Sequence, residues 1–154
     1  MPIAYMERTR QRYAQYLPYR WALNHEAPWT PLPKPLGDCR VALLGSGGFY
    51  LPHQPPFHEG DASYRLIPKD TDLATLRIYH HAYRDDDADR DPNCVFPLDR
   101  LREFEAAGVI GALADSAISF LTLYSARREV EERAPGIVAE LRALGAEAAV
   151  LVPV

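Results

Sequence analysis

The stretch that decides the fold is Arg40-Val-Ala-Leu-Leu-Gly-Ser-Gly-Gly48, an apolar run that passes directly into a glycine-rich turn. A compact apolar run that follows a Gly37-Asp38 turn is typical of a strand buried on both faces of a parallel sheet. We therefore predict a first β-strand over residues 40–44. A strand of this kind needs helices packed against its sheet.

The sequence downstream alternates apolar runs with helical patterns. Further strands are predicted at Thr75–Tyr79, Ala117–Tyr124 and Ala148–Pro153. Helices are predicted at Pro97–Ala107 and Arg127–Leu144, although Pro135 weakens the second helix, which could begin there. This order predicts an α/β fold with three layers and a mainly parallel sheet, flavodoxin-like or doubly wound and incomplete at its C-terminal end.

The N-terminal residues differ in composition from the rest. Residues 5–17 could form a short amphipathic helix that Pro18 stops. Four prolines lie between Pro28 and Pro35, which predicts an extended strap. Such an arm could serve assembly or be a partly ordered tail. We expect an arm over residues 1–36 and an α/β domain over residues 37–154.

Composition excludes several classes of function. The net charge of −4 lacks the basic excess of nucleic-acid-binding proteins. No run of about 18 apolar residues is present that could span a membrane. The N-terminus shows no signal peptide. The two cysteines, Cys39 and Cys94, lie far apart, which fits a reducing cytoplasm better than a disulfide framework.

Parallel sheets place their binding sites beyond the carboxyl ends of their strands. Three features of this sequence map there: the Gly45–Tyr50 turn, the polar loop His80–Asn93, and the C-terminus of the chain. Residues 52–72 are rich in proline, histidine and acids and predict a long ordered loop. The topology therefore predicts one site where these segments meet.

Each candidate motif allows a functional and a structural interpretation. The glycines at 45–48 could cradle an anion, but without a phosphate-loop spacing we prefer a tight turn that lets other backbone approach. His80 could be a proton donor or a hydrogen-bonded structural histidine. Cys94 precedes a helix that could lower its thiol pKa, although an apolar plug that seats the helix is the preferred interpretation. The histidines and the acids near Asp85–Asp91 lack the spacing of a designed metal site.

Several long motifs resemble one known family. Val41–Leu44 with Gly47-Gly48 is similar to its first strand and turn, and Gly60-Asp-Ala-Ser-Tyr-Arg-Leu-Ile-Pro68 to its loop motif. His80-x-x-Tyr83 and the block from Asp91 to Glu103 match its most recognisable segment. From about Trp29 to Val154 the chain resembles the selenoprotein B family of glycine/sarcosine/betaine and D-proline reductases.

The resemblance implies a reductive C–N cleavage. A partner subunit that carries a pyruvoyl group would activate the amino acid, and a selenolate or thiolate would attack its α-carbon. No other bound cofactor and no metal is implied. In the family the strand matching Ala148–Val154 runs into a selenocysteine or cysteine. UGA encodes selenocysteine and is normally a stop codon, so we expect the nucleophile to follow Val154, with the printed chain ending at a misread UGA or cut there.

The resemblance also nominates site residues. His80, Tyr83 and Asn93 would line the mouth of the sheet as proton donor, carboxylate contact or loop brace, roles that the sequence does not separate. The candidate catalytic residues are His80, Tyr83, Asn93 and Cys94. The candidate substrate-binding residues are Gly47, Gly48, Tyr64 and Arg65. The implied partners are the pyruvoyl subunit and a small amino acid, in a homo- or hetero-oligomer.

Two other classes of function stay open. One is a non-catalytic α/β module that binds a small anion or a partner through Gly45–Gly48 and the proline strap. The other is a metal hydrolase, which would need clustered histidines and acids. The codon after Val154 discriminates: UGA followed by an in-frame extension supports the reductase, whereas UAA or UAG favours the module.

Overall fold

In the computed structural model of the chain, the described residues are 5–15, 25–26, 29–32, 34–79, 85–121 and 127–154. The chain forms two units, Met1–Pro31 and Leu32–Val154. In the first unit, helix α1 spans Tyr5–Arg12 and ends earlier than the helix predicted over residues 5–17. No helix within the described ranges is long and apolar enough to cross a membrane.

The second unit is built around strand β1, Arg40–Gly45. Strand β7, Ala148–Val152, pairs with one side of β1, and β5, Ala112–Leu113, and β6, Ser116–Phe120, pair with the other side, all parallel to it. Strand β3, Tyr64–Pro68, adds to β6 antiparallel at the sheet edge. The predicted α/β fold with a mainly parallel sheet is therefore confirmed.

Several segments differ from the sequence-based expectation. Strand β3 lies inside the expected loop 52–72, and β5 was not predicted. The strand predicted at Thr75–Tyr79 is only β4, Arg77–Ile78, and it pairs antiparallel with β2, Phe49–Tyr50, in a separate small sheet. The positive φ of 70° at Gly48 lies directly before β2, and the Tyr79 amide donates to the Gly48 carbonyl at 3.1 Å, which closes this small sheet. The expected loop at 80–93 contains helix α2, Asp85–Arg90, and a 3-10 turn at Pro92–Cys94.

One face of the main sheet carries helix α3, Leu98–Ala106. Leu98 and Leu101 are buried in the main hydrophobic core, which also contains Val41 and Leu43 of β1. Each such side chain contributes about 1.5–3 kcal/mol through burial. The Phe49 and Phe96 rings also lie in this core, with centroids 5.6 Å apart.

Helix α4, Arg127–Ala143, continues through Pro135 and lies towards the opposite face. Side chains alternate along a strand, so Tyr64 of β3 points away from the core residue Ile67. The Tyr64 hydroxyl donates to Glu140 of α4 at 2.8 Å. Layers of helix therefore flank the sheet, and the cover is thinner on this side, where Leu151 of β7 is 66% exposed.

Candidate functional site

The carboxyl ends of the parallel strands lie level with one another. Gly45 at the end of β1 is paired with Ser119 of β6 and with Val152 of β7, and Ser119 is paired with Arg65 of β3. We call this row, with the residues that follow it, the carboxyl edge. It brings the first turn and the end of β7 together, as the topology predicted. The start of β3, which was not predicted as a strand, lies in the same row.

The turn Gly45–Gly48, here called the glycine turn, is packed closely by other segments. A Cβ added at Gly45 would lie 2.7 Å from the Phe96 ring, and one added at Gly47 would lie 2.6 Å from Val95. At Gly48 an added Cβ would lie 2.1 Å from the Tyr79 carbonyl oxygen. The glycines therefore admit other segments into contact with the turn, which supports the tight-turn interpretation.

The amides of the turn are engaged within the sheet. The Ser46 amide donates to the Val152 carbonyl at 3.1 Å, and the Gly48 amide donates to the Phe120 carbonyl at 3.1 Å. An anion cradle needs several amides that converge on a ligand. Because these two amides bond to strand carbonyls, the turn does not have the arrangement of a phosphate loop.

The segments packed on the glycine turn lead into the candidate catalytic residues. Tyr79, whose carbonyl faces Gly48, directly precedes His80. Both His80 and Tyr83 lie outside the described residues. Val95, which contacts Gly47, directly follows Cys94, whose side chain is exposed. The chain positions next to His80 and Cys94 are thus fixed against one turn.

The Asn93 side chain stabilises the start of α3. Its carbonyl oxygen accepts from the Asp99 amide at 3.1 Å, and its amide group donates to the Asp99 carboxylate at 3.0 Å. Pro97 occupies the N-cap position and makes no side-chain cap hydrogen bond, so Asn93 replaces the missing cap. Asn93 therefore holds the segment that delivers Val95 and Phe96 to the glycine turn.

Arg65 is buried at the start of β3 and organises the preceding loop. Its guanidinium donates to five oxygens and pairs with the Asp61 carboxylate at 3.0 Å. It also lies 4.2 Å from the centre of the Phe57 ring. Burial favours a higher pKa for Asp61, but hydrogen bonds from Ser63 and Arg65 outweigh it and lower that pKa below its ordinary value.

Tyr64, the neighbour of Arg65, lies on the other face of β3 and binds Glu140. The hydrogen bond to that carboxylate raises the pKa of the Tyr64 phenol, and burial and the negative charge add to the effect. Candidate substrate-binding residues Tyr64 and Arg65 are thus at the carboxyl edge, beside an open groove of about 510 Å³. The groove is lined by Gln54, Pro55, Pro56, His58, Asp61, Ser63, Tyr64, Arg65 and Leu66.

Ser46 is a site residue that the sequence interpretation missed. It is 4% exposed, and its hydroxyl oxygen accepts from the Val154 amide at 2.9 Å. One serine in a glycine-rich turn gives no sequence signal of a partner 108 positions away.

A metal site needs several ligating side chains close together. Within the described ranges, there is no group of three or more histidine, cysteine, aspartate or glutamate side chains that could hold a metal ion.

Comparison with known proteins supplies the family. The profile of the glycine/sarcosine/betaine reductase selenoprotein B family matches residues 24–154. The chain is 34% identical over 125 residues to the D-proline reductase subunit gamma of Acetoanaerobium sticklandii, an alignment that covers 80% of this chain and 52% of that protein. No solved structure matches the chain significantly.

Two further relatives are subunits of related complexes. The glycine reductase complex component B subunit gamma of Carboxydothermus hydrogenoformans is 29% identical over 80% of this chain and 30% of its own length. The sarcosine reductase complex component B subunit beta of Peptoclostridium acidaminophilum is 33% identical over 66% of this chain and 24% of its own length. The chain thus spans about half the length of the D-proline reductase subunit and less of the other two. On the match over residues 24–154, the chain belongs to the glycine/sarcosine/betaine reductase selenoprotein B family.

Proposed function

We propose that this chain forms the N-terminal part of a cytoplasmic reductase subunit that cleaves a C–N bond of an amino acid, of the glycine, sarcosine, betaine or D-proline type. The nucleophile is a selenocysteine or cysteine that follows Val154. The observation that carries the proposal is the hydrogen bond from the Val154 amide to Ser46 at the carboxyl edge. A residue placed next would lie beside the glycine turn, where parallel sheets hold their sites.

The proposed reaction needs an ionised nucleophile and an activated substrate. A pyruvoyl group on a partner subunit condenses with the nitrogen of a substrate that is an amine, by an iminium-type adduct in the glycine case, whereas the nitrogen of betaine is already quaternary and positively charged. The selenolate or thiolate then attacks the α-carbon, so that a C–Se or C–S bond forms while the C–N bond breaks. The electron pair of the broken bond leaves with the nitrogen. A thiol reductant then supplies the two electrons that break the C–Se or C–S bond and regenerate the nucleophile. Selenolate suits this role because it is ionised at neutral pH.

We propose different roles for the candidate residues, and the described contacts support part of this assignment. Gly47 and Gly48 leave room for Val95 and Tyr79, the chain neighbours of Cys94 and His80. We therefore assign the two glycines to shaping the site. The hydrogen bonds of Asn93 to Asp99 favour the loop-brace role over direct contact with substrate. We propose that His80 donates a proton to the substrate and that Tyr83 binds its carboxylate. Cys94 is proposed as an auxiliary thiol.

Tyr64 and Arg65 line the neighbouring groove, where a small amino acid is proposed to enter. The hydrogen bonds of Arg65 are directed to its own loop, and Tyr64 donates to Glu140. Both residues therefore form the wall of the groove, and the partner subunit is proposed to approach from its open side. This arrangement fits the enzyme better than an anion-binding module, because the Ser46 and Gly48 amides are engaged in the sheet.

The experiment is to read the gene past the codon for Val154 and to produce the subunit with the downstream sequence, with selenocysteine or cysteine at the next position. Selenol- or thiol-trapping reagents should modify that position, and the subunit with its pyruvoyl partner and a dithiol reductant should reduce one of the four substrates. A UAA or UAG codon at that place, or a complete subunit that supports no reduction of any of them, overturns the proposal.

A further inference from the structure

The Ser46 hydroxyl accepts a hydrogen bond from β7 at the point where Pro153 interrupts the pairing of the strands. Strand pairing of β1 with β7 ends at Gly45 and Val152, and the Ser46 amide extends it by donating to the Val152 carbonyl at 3.1 Å. Pro153 has no N–H and cannot continue the ladder. The next donor, the Val154 amide, binds the Ser46 hydroxyl at 2.9 Å instead of a backbone carbonyl.

The partners of the Ser46 side chain all come from this one strand end. Its hydroxyl lies 2.9 Å from the Val154 nitrogen and 3.5 Å from the Val152 carbonyl oxygen. The side chain is 4% exposed, so these contacts are shielded from water. A buried polar group that loses its hydrogen-bond partner destabilises the folded state, so this contact resists opening.

We infer that Ser46 is a positioning residue, which fixes the direction of the chain beyond β7 and so places the nucleophile over the glycine turn. The inference rests on the proposed function for the identity of that nucleophile. Consecutive Cα atoms are about 3.8 Å apart, so the residue after Val154 starts within one residue's reach of this anchor. Displacement of a reacting atom by about 1 Å can lower a rate by about 100-fold.

The carboxyl edge offers a matched control. Ser119 is paired with Gly45 in the same row, is fully buried, and its hydroxyl finds no hydrogen-bond partner among the described residues. Ser119→Ala removes a buried serine hydroxyl of equal size without releasing a strand end. A difference in kcat between Ser46→Ala and Ser119→Ala therefore reports the loss of the Ser46–Val154 hydrogen bond and not the loss of a buried hydroxyl.

The test uses the complete subunit, with selenocysteine or cysteine after Val154, and its pyruvoyl partner. In Ser46→Ala we expect kcat to fall about 10- to 100-fold with KM unchanged within about twofold. Ser46→Thr, which keeps the hydroxyl, should restore most of kcat. Ser119→Ala should lower kcat clearly less than Ser46→Ala does. A kcat of Ser46→Ala equal to that of the wild type, or a loss that Ser119→Ala reproduces, overturns the inference.

A second readout separates this inference from the proposed function. The alkylation rate of the residue after Val154 by iodoacetamide, followed against pH, needs no reductase activity. We expect Ser46→Ala to shift this profile and Ser46→Thr to keep the wild-type profile. If the wild-type subunit reduces no amine but the profile shifts, the proposed function fails and the anchoring role stands. An unchanged profile in Ser46→Ala overturns the anchoring role.

Discussion

Arg65 occupies the interior of the loop that leads into β3, with 8% of its surface exposed. We expect Arg65→Met to lower the free energy of unfolding by about 3–5 kcal/mol, because it leaves the Asp61 carboxylate buried without its ion pair. Urea denaturation followed by circular dichroism measures this loss. The control is Arg100→Met, which removes an exposed ion pair to Glu103 at 2.7 Å and should cost at most about 1 kcal/mol. Equal losses in the two variants would contradict a structural role for Arg65.

Tyr64 should titrate later than an ordinary tyrosine. Its phenol donates to Glu140, which raises its pKa. The stability that this contact contributes is therefore fully present below the ordinary pKa of about 10 and is lost as pH rises through the raised pKa.

Absorbance at 295 nm, recorded during an alkaline titration, detects this group. Subtracting the curve of Tyr64→Phe from that of the wild type should isolate a single late transition. In Glu140→Gln the same transition should move towards lower pH, because the acceptor loses its charge. A difference curve centred at the ordinary tyrosine pKa in the wild type would contradict the contact.

At the scale of elements, the glycine turn depends on close backbone approach. We expect Gly48→Ala to destabilise the domain by more than about 2 kcal/mol, since the new Cβ would meet the Tyr79 carbonyl oxygen and the positive φ is already unfavourable for alanine. Gly60→Ala is the matched control: its φ of 75° is similar, but nothing lies within 4 Å of the added Cβ. It should cost only about 1–2 kcal/mol. Thermal unfolding of both variants measures the difference. Equal decreases in Tm would mean that the positive φ alone, and not the contact with Tyr79, destabilises Gly48→Ala.

Helices α3 and α4 and the longer parallel strands were predictable because each carries a local pattern, whereas the short elements α2 and β5 were not predicted. The apolar run at 40–44 became β1, and the amphipathic stripes became α3 and α4, each within a few residues of its predicted bounds. Strand β3 was not predicted because one of its two buried positions is Arg65. The buried and less buried residues of β3 therefore do not alternate as apolar and polar residues in the sequence. Its burial depends on Asp61 and Phe57, which no local pattern reveals.

At the scale of the whole molecule, the candidate site is assembled by contacts between distant segments. Its general place could be predicted, since the carboxyl ends of parallel strands meet at one edge. The pairing of Ser46 with Val154 and of Gly47 with Val95 could not, because each depends on three-dimensional packing. The sequence therefore indicated the turn at the candidate site, and the structure identified the residues that contact this turn.

At the scale of the whole molecule, we also expect the outer side of β7 to promote self-association of the 154-residue chain. Among the described residues β7 pairs only with β1, while Val150 is 37% and Leu151 66% exposed. An open edge with apolar side chains favours pairing with another strand, and each Val or Leu that becomes buried contributes about 1.5–3 kcal/mol. We expect the apparent mass in light scattering to rise with concentration.

Leu151→Lys should suppress this rise, because a charged side chain on an edge strand opposes pairing. Leu36→Lys is the matched control, since Leu36 is 42% exposed but lies in a 3-10 turn outside the sheet. If association used any apolar surface, both variants would reduce it equally. If it uses the β7 edge, Leu36→Lys should associate like the wild type. A wild-type chain that stays monomeric at every concentration would show that β7 is not an open edge in solution.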